Sequence, residues 1–479
     1  MLWLLVGLLT VVLLLYFYGT RTFGYWAKRG VKHDAPIPFF GTAKRQFLQQ
    51  ITFADIYDEM YQKYPNDRFV GYYLMTNPLL ILRDPELVKH VLVSDFNHFY
   101  SRNLHPIDDN PELLLNNLFS CEGDLWKLLR QRMTPAFTSG KLKAMFPLIV
   151  SRAEKLQRVA AEVAASGAEV DVRDLMARYT TDFIGACGFG IDTDSLNDKN
   201  SMFRKLGIRI FIQDTRDVVV AIFKYAMPSL MRSFSFVSPI MVGESLVHKK
   251  ADGTPCVAER EMDDDLMVAQ VFIFFAAGFE TSSSATSYTL HELAHHPEHQ
   301  RRCQEEIDAV LARHDNKLSY DAIKEMKYLD MYENVFVINF SEAMRIFPSL
   351  GFLQRKCVRA YTIPGTDVTI DPGVNIIVPV KSLQLDPQYF QDPEKFRPER
   401  FHPDNVASID KYIYLPFGTG PRACIGERLG YMQSMAGLAA VLSQFSVAPC
   451  KSTLRKPIVD PTLKFSQMMY FCCRYNNKY

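Results

Sequence analysis

The chain has 479 residues, 48% of them hydrophobic, and a formal net charge of +1. That length and apolar content support a large core, and the near-neutral charge gives no reason to expect nucleic acid as a partner. The 9 cysteines include no CxxC pair and no even framework, which argues against a disulfide scaffold and fits a reducing compartment.

Leu2 to Tyr18 carries no charge and is apolar or aromatic apart from Gly7 and Thr10. At 1.5 Å per residue this run gives roughly 26 Å of helix, close to the hydrocarbon thickness of a bilayer, with Trp3 and Tyr25 or Trp26 as interfacial flanks. A cleaved signal peptide would need a basic start and a small-residue cleavage site. Instead Tyr16-Phe17-Tyr18 closes the run, and Arg21, Lys28 and Arg29 follow it. The expectation is a retained anchor with everything beyond Arg21 on the cytosolic side. Pro36 and Pro38 then force extended backbone, predicting a stiff spacer between membrane and domain.

Helical spacing returns from Ala54 to Tyr64, and Phe69–Tyr73 with Leu79–Leu82 reads as a small hairpin around Thr76-Asn77-Pro78. Residues 101–120 are aperiodic, with Pro106, Asp108, Asp109, Asn110 and Pro111 as breakers, so a long loop is predicted, of the kind that is either functional or disordered. Trp126 and Arg130 lie four apart on one face of the next helix, which by itself is an ordinary amphipathic pattern. Residues 140–230 are helix-rich, interrupted by Gly167 and by a loop around Asp192 to Asn200.

Asp263, Asp264 and Asp265 place acids at a helix start, favourable to the macrodipole. Val271 to Gly278 is apolar on every face, predicting a helix buried through the core. Inside it Ala277-Gly278-Phe279-Glu280-Thr281 puts an acid and a hydroxyl where they are costly unless used. The structural alternative is a Thr hydroxyl bonding back to the carbonyl four residues earlier. Glu342 and Arg345 lie three apart on a later helix, with Phe396-Arg397-Pro398-Glu399-Arg400-Phe401 further on. Between them Tyr361–Pro364, Val368–Ile370 and Asn375–Val380 read as short strands.

The densest motif is Pro416-Phe417-Gly418-Thr419-Gly420-Pro421-Arg422-Ala423-Cys424-Ile425-Gly426, with a helical run behind it. Its glycines permit positive φ and a close approach of backbone to a flat cofactor, and the N–H groups opening the next helix would spread the charge of a thiolate at Cys424. Phe417-x-x-Gly420-x-Arg422-x-Cys424-x-Gly426 resembles the haem-binding signature of the cytochrome P-450 superfamily, whose iron carries a cysteine thiolate. Thr134–Lys141 and Phe274–Ser282 read closest to the microsomal enzymes of its insect detoxification clan.

That resemblance implies a mainly α fold with a minor β region. It implies residues 1–19 as transmembrane anchor, 20–45 as basic, proline-rich linker and 46–479 as one haem-thiolate catalytic domain. The cofactor would be haem (heme b), its iron held by Cys424 and its propionates and rim met by Trp126, Arg130, Arg355, Arg422 and Phe417. Glu280 and Thr281 would handle protons, with Gly278 letting the helix open beside the iron. Glu342, Arg345 and Arg400 would form a structural triad. Phe272, Ala276, Ala277, Leu350 and Phe352 would line a substrate pocket, together with parts of the 101–120 loop and Phe465 to Met468.

The implied reaction inserts one oxygen atom from O2 into a lipophilic substrate: a xenobiotic, plant toxin, insecticide, steroid or fatty acid. Electrons would come from NADPH through NADPH-cytochrome P-450 reductase, with cytochrome b5 as a second donor, at the endoplasmic reticulum membrane. Lys127, Arg132 and Lys141 are candidate docking charges.

The chain departs from the pattern in two places. Phe234 to Glu261 is short and irregular where relatives carry long helices. Tyr332 to Phe340 interposes a β-branched and aromatic run that predicts a bulge ahead of the Glu342 helix. These departures keep open a haem-binding paralogue with impaired catalysis. A haem-thiolate isomerase or dehydratase, and a membrane-anchored interaction protein, are the other readings.

Overall fold

A computed structural model describes residues 2–104, 113–198, 200–211, 263–328, 335–457 and 472–477. The expectations for 105–112, 234–261, Tyr332 to Asn334 and Phe465 to Met468 lie outside these residues.

Helix α1, Leu2–Thr20, is long and apolar enough to cross a membrane, and Gly19 is its one buried residue. A Cβ on Gly19 would lie 3.0 Å from the Phe39 ring, so the helix end is seated on the proline-containing segment. That segment is no free spacer. Trp26, expected at the membrane interface, is fully buried and donates its indole N–H to the Tyr72 carbonyl at 3.1 Å. Gly71 makes this possible, since a Cβ there would meet the indole at 2.6 Å.

Helix α2, Phe53–Lys63, packs its Ile56, Tyr57 and Met60 face on the sheet, and Thr52 caps it by accepting from Asp55 N–H. β1, Phe69–Leu74, and β2, Asn77–Leu82, pair antiparallel as expected. Their turn falls earlier than the prolyl residue suggested, at Met75 with φ 56° and Thr76.

The helical body follows: α3 Gly123–Met133, α4 Ser139–Ser166, α5 Val172–Phe189, α6 Met202–Phe211, α7 Asp264–His295, α8 Pro297–Arg313, α9 Tyr320–Tyr328 and α10 Val335–Ile346. Gly167 ends α4 with φ 63°, and Asp263 caps α7 by accepting from Leu266 N–H at 2.7 Å. α7 runs through the core against α5, α10 and α11, Glu427–Leu442. Phe275 stacks on Phe279, with Phe183, Leu290 and Leu293 in the same cluster. Burying each such side chain contributes about 1.5–3 kcal/mol. The expectation of burial on every face fails at Val271 and Ala277, which are exposed.

The β region is small. Together with Val170–Asp171 as β3, the later strands are β4 Leu353–Lys356, β5 Tyr361–Thr362, β6 Thr369–Ile370, β7 Asn375–Val378, β8 Phe445–Pro449 and β9 Cys472–Asn477. They form sheets in the orders β1-β2-β7-β4, β3-β9-β8 and β5-β6. The strand expected to reach Val380 stops at Val378, and Val380 opens a short helix.

The bulge expected before Glu342 is absent from the described part of that segment. Val335 to Phe340 is helical and continuous with Glu342 and Arg345, and Asn339 and Phe340 are buried. β propensity was overridden by tertiary packing, which gives Phe340 the Tyr431 ring at 5.4 Å.

Candidate functional site

The cysteine loop is built by its glycines. Gly418 and Gly420 have φ of 67° and 78°, and a Cβ on Gly420 would lie 2.1 Å from the Leu92 carbonyl oxygen. No other residue fits there. Cys424 N–H donates to the Phe417 carbonyl at 3.0 Å, closing the loop, and Gly426 precedes the first turn of α11. Cys424 is exposed to the space beside the loop yet surrounded by protein. Burial pushes its thiol pKa up, while a backbone bond with Gly426 and the charges of Arg102 and Arg130 pull it down. An iron ion at the sulfur would stabilise the thiolate.

Arginines surround this loop. Arg130 Nη1 donates to the Ala423 carbonyl at 2.9 Å, Arg102 Nη2 to the Arg422 carbonyl at 3.0 Å, and Arg422 Nη2 to the Cys121 carbonyl at 2.9 Å. Arg355 lies on β4 on the same side as Leu353, whose Cδ1 is 3.5 Å from the Cβ position of Gly418. Burial first, then the charge of Arg422, lowers Arg355 to about 9. Burial likewise lowers Arg422 to about 10, and burial with the charges of Arg355 and Arg422 lowers Arg102 well below its ordinary value. Among the described residues no ion pair joins these three to a carboxylate. Arg355 Nε, Arg422 Nε and Arg422 Nη1 are buried without a hydrogen-bond partner. Like charges with unfilled donors beside an accessible thiol fit a flat dianion such as haem with its two propionates. Sequence reading missed Arg102, because a lone Arg in an aperiodic loop carries no local signal; only the fold brings it to Arg355 and Arg422.

The middle of α7 opens one face: Ala277 is exposed and Thr281 half-buried between buried neighbours. Ser282 Oγ lies 3.8 Å from the Cβ position of Gly430 on α11, so this stretch adjoins the start of that helix. Thr281 Oγ1 donates to the Ala277 carbonyl at 2.7 Å, the backbone bond weighed above, and Ser349 Oγ donates to the Thr281 carbonyl at 3.2 Å. Glu280 points elsewhere. It is fully buried in an ion pair with Arg173 of α5, which also donates to Ser283 Oγ at 2.6 Å. The structure does not bring the Glu280 carboxylate and the Thr281 hydroxyl together. α7 also stays regular through Gly278, where an opening was expected. A Cβ at Gly278 would meet Ile184 Cδ1 at 2.9 Å, so its smallness serves the packing of α5 on α7.

Of the pocket residues, Ala276 is buried, Phe272 and Leu350 are half-buried, and Leu350 follows Ser349 at the Thr281 turn. Phe352 is a correction. Its ring packs 5.1 Å from Tyr57 and 6.2 Å from Phe53, in the cluster between α2 and the sheet, on the opposite side of β4 from Arg355. Lys127 is exposed and paired with Asp124 at 3.1 Å; Arg132 and Lys141 are exposed.

The triad is assembled. Arg345 makes two bonds to Glu342, at 2.7 and 2.8 Å, and Arg400 Nε approaches Glu342 at 3.4 Å. Gln384 ties it to the cysteine loop, donating to the carbonyls of Met344 and Arg345 and accepting Leu415 N–H at 2.9 Å.

A mainly helical body, a glycine-built cysteine loop and an arginine cluster that among the described residues forms no ion pair define a haem-thiolate protein. A family model described as cytochrome P450 matches residues 32–237 and 244–470. The chain is 36% identical to cytochrome P450 6a2 of Drosophila melanogaster over 493 aligned positions, covering 95% of this chain and 94% of that one. It is 35% identical to cytochrome P450 6B1 of Papilio polyxenes, covering 96% and 97%, and 35% to cytochrome P450 6j1 of Blattella germanica, covering 95% and 93%. The chain belongs to the cytochrome P450 family, among the insect relatives of the detoxification clan, and is a haem-dependent monooxygenase with a thiolate iron ligand. Family membership brings a redox partner and a small-molecule substrate.

Proposed function

We propose that this monooxygenase acts on lipophilic small molecules such as plant toxins, insecticides, steroids or fatty acids. Its electrons come from NADPH through NADPH-cytochrome P-450 reductase, with cytochrome b5 as a second donor. The apolar character of Phe272, Ala276, Ala277 and Leu350 supports that substrate class, and α1 with the basic residues after it supports residence in the endoplasmic reticulum membrane, catalytic domain to the cytosol. Haem bound at Cys424 supplies oxygen activation.

The chain's own residues do the rest in this reading. Cys424 holds the iron, its charge spread by Gly426 N–H and the α11 terminus. Arg102, Arg130, Arg355 and Arg422, with Trp126, fix the propionate edge. Thr281, released from the Ala277 carbonyl, holds a proton-bearing water, and Glu280 refills the proton supply after exchanging its bond with Arg173. The buried, partnerless donors of Arg355 and Arg422 beside Cys424 carry the proposal.

The test is a reduced, carbon-monoxide difference spectrum of the full chain with and without Cys424→Ser, followed by substrate turnover with NADPH and purified reductase. A thiolate-type band lost in the variant, with reductase-dependent oxidation of a lipophilic substrate, is expected. A band that survives the substitution overturns the ligand assignment, and turnover indifferent to the reductase overturns the electron source.

A further inference from the structure

Arg102 stands beside Arg355 and Arg422, whose charges push against its own, so its place depends on how the chain holds it. Its guanidinium covers the Phe119 ring at 4.4 Å and donates to the carbonyls of Phe119 at 3.1 Å and Arg422 at 3.0 Å. The residues on either side of it are held by one carboxylate. Glu122 Oε1 accepts the Ser101 hydroxyl and, at 2.8 Å, the Asn103 N–H. Asn103 has φ of 48°, in the left-handed region that a non-glycine residue occupies at a cost. Gln354 Nε2 donates to the carbonyls of Arg102 and Asn103 at 3.0 Å each, and Asn103 Nδ2 donates to Asn375 Oδ1 at 3.0 Å.

Glu122 also precedes the first turn of α3, where its carbonyl accepts the Trp126 N–H at 3.4 Å. One residue thereby joins the segment that presents Arg102 to the helix that presents Trp126 and Arg130. Among the described residues its carboxylate forms no ion pair, and its hydrogen bonds engage the turn rather than an arginine. We propose that Glu122 is a positioning residue for the haem edge: it holds the Ser101–Asn103 turn, and through it Arg102, in the place where a propionate is met. The inference rests on the reading that gives these arginines to the haem propionates.

The experiment follows the rate at which the full-length, haem-loaded protein loses haem to excess apomyoglobin, read at the haem absorption band. Glu122→Ala should raise that rate about tenfold, since both bonds to a charged acceptor are lost, and Ser101→Ala, which removes one, about threefold. Glu122→Gln should stay within about twofold of the unsubstituted chain, because an amide oxygen still accepts both bonds. Glu122→Ala combined with Arg102→Gln should lose haem no more than about twofold faster than Arg102→Gln alone, because one residue acts through the other. A thiolate-type carbon-monoxide spectrum shows each variant folded with haem before transfer begins. If Glu122→Ala takes up no haem, Ser101→Ala and Glu122→Gln carry the test. Unchanged rates in Glu122→Ala and Ser101→Ala, a Glu122→Gln variant that loses haem tenfold faster, or full additivity with Arg102→Gln would each overturn the positioning role while leaving the arginines with the haem. A rate unchanged by Arg102→Gln itself would overturn the propionate reading and this inference with it.

Discussion

The guanidinium of Arg422 lies 4.3 Å above the centre of the Trp126 ring, both residues buried, while its Nη2 is spent on the Cys121 carbonyl. A desolvated cation on an indole face is worth about 2 kcal/mol. It also holds in place a guanidinium whose Nε and Nη1 have no protein partner among the described residues, the group that the proposed reading gives to the haem propionates. Arg422→Leu should therefore lower haem affinity about tenfold or more. Haem per protein, measured as the pyridine haemochrome, should fall, and Arg102→Gln should fall in parallel. Full haem occupancy in both variants would mean that the cluster meets some other anion.

Thr281→Ala removes a hydroxyl that a backbone carbonyl holds in the resting structure. Haem content should be unchanged. Product formed per NADPH consumed should drop by about tenfold or more as peroxide rises, because positioned proton transfer is worth about 10²-fold or more. Unaltered coupling in a reconstituted system would confine this hydroxyl to its bond with Ala277.

Glu342 and Arg345 are both fully buried, with Arg400 and the Arg397 N–H on the same carboxylate. Glu342→Gln leaves the Arg345 charge uncompensated, at a cost of about 3–5 kcal/mol. The urea midpoint should fall accordingly, and haem should be lost with it, since Gln384 links this helix to Leu415 at the head of the cysteine loop.

Removal of Tyr332 to Phe340 would be harmless if the segment were a tolerated bulge. The structure predicts the reverse, because the cut takes the first turns of α10 and the buried Asn339 and Phe340 with them. Phe340→Ala alone should cost about 3–5 kcal/mol. The deletion should lose haem and lower the melting temperature, both read from a thermal scan at the haem absorption band.

His291 supplies a pH dependence. Burial, then the neighbouring His295, lowers its imidazole to about 4, against about 6.5 in the unfolded chain. Between these values the unfolded state binds the proton and the native state does not, so stability rises with pH in that window. The contribution is fully present above about pH 6.5 and is lost as pH falls towards about 4. Replacing the histidine by Asn should remove up to about 3 kcal/mol of that acid loss, visible as a flatter plot of unfolding free energy against pH. Parallel plots for the two proteins would refute it.

The sequence by itself determined what depends on local chemistry. Periodicity placed α2, α3, α7 and the β1–β2 hairpin, since burial patterns repeat every 3.6 or 2 residues. The glycine-rich run around Cys424 announced its loop, because positive φ and a 2.1 Å clash at Gly420 leave one residue type possible there. Whatever depends on which distant surfaces meet was left to the tertiary structure. Trp26 looks interfacial until Gly71 offers it a slot, and Phe352 looks like pocket lining until strand alternation turns it onto Tyr57. Val335 to Phe340 looks extended until the Tyr431 ring makes a helix there the better-packed choice. Arg102 joins the arginine cluster only because the fold carries it to Arg355 and Arg422, and Glu280 finds Arg173 across 107 residues of chain. Local propensity is worth tenths of a kcal/mol per residue, whereas a buried ring or ion pair is worth several, so where the two disagreed packing decided the outcome.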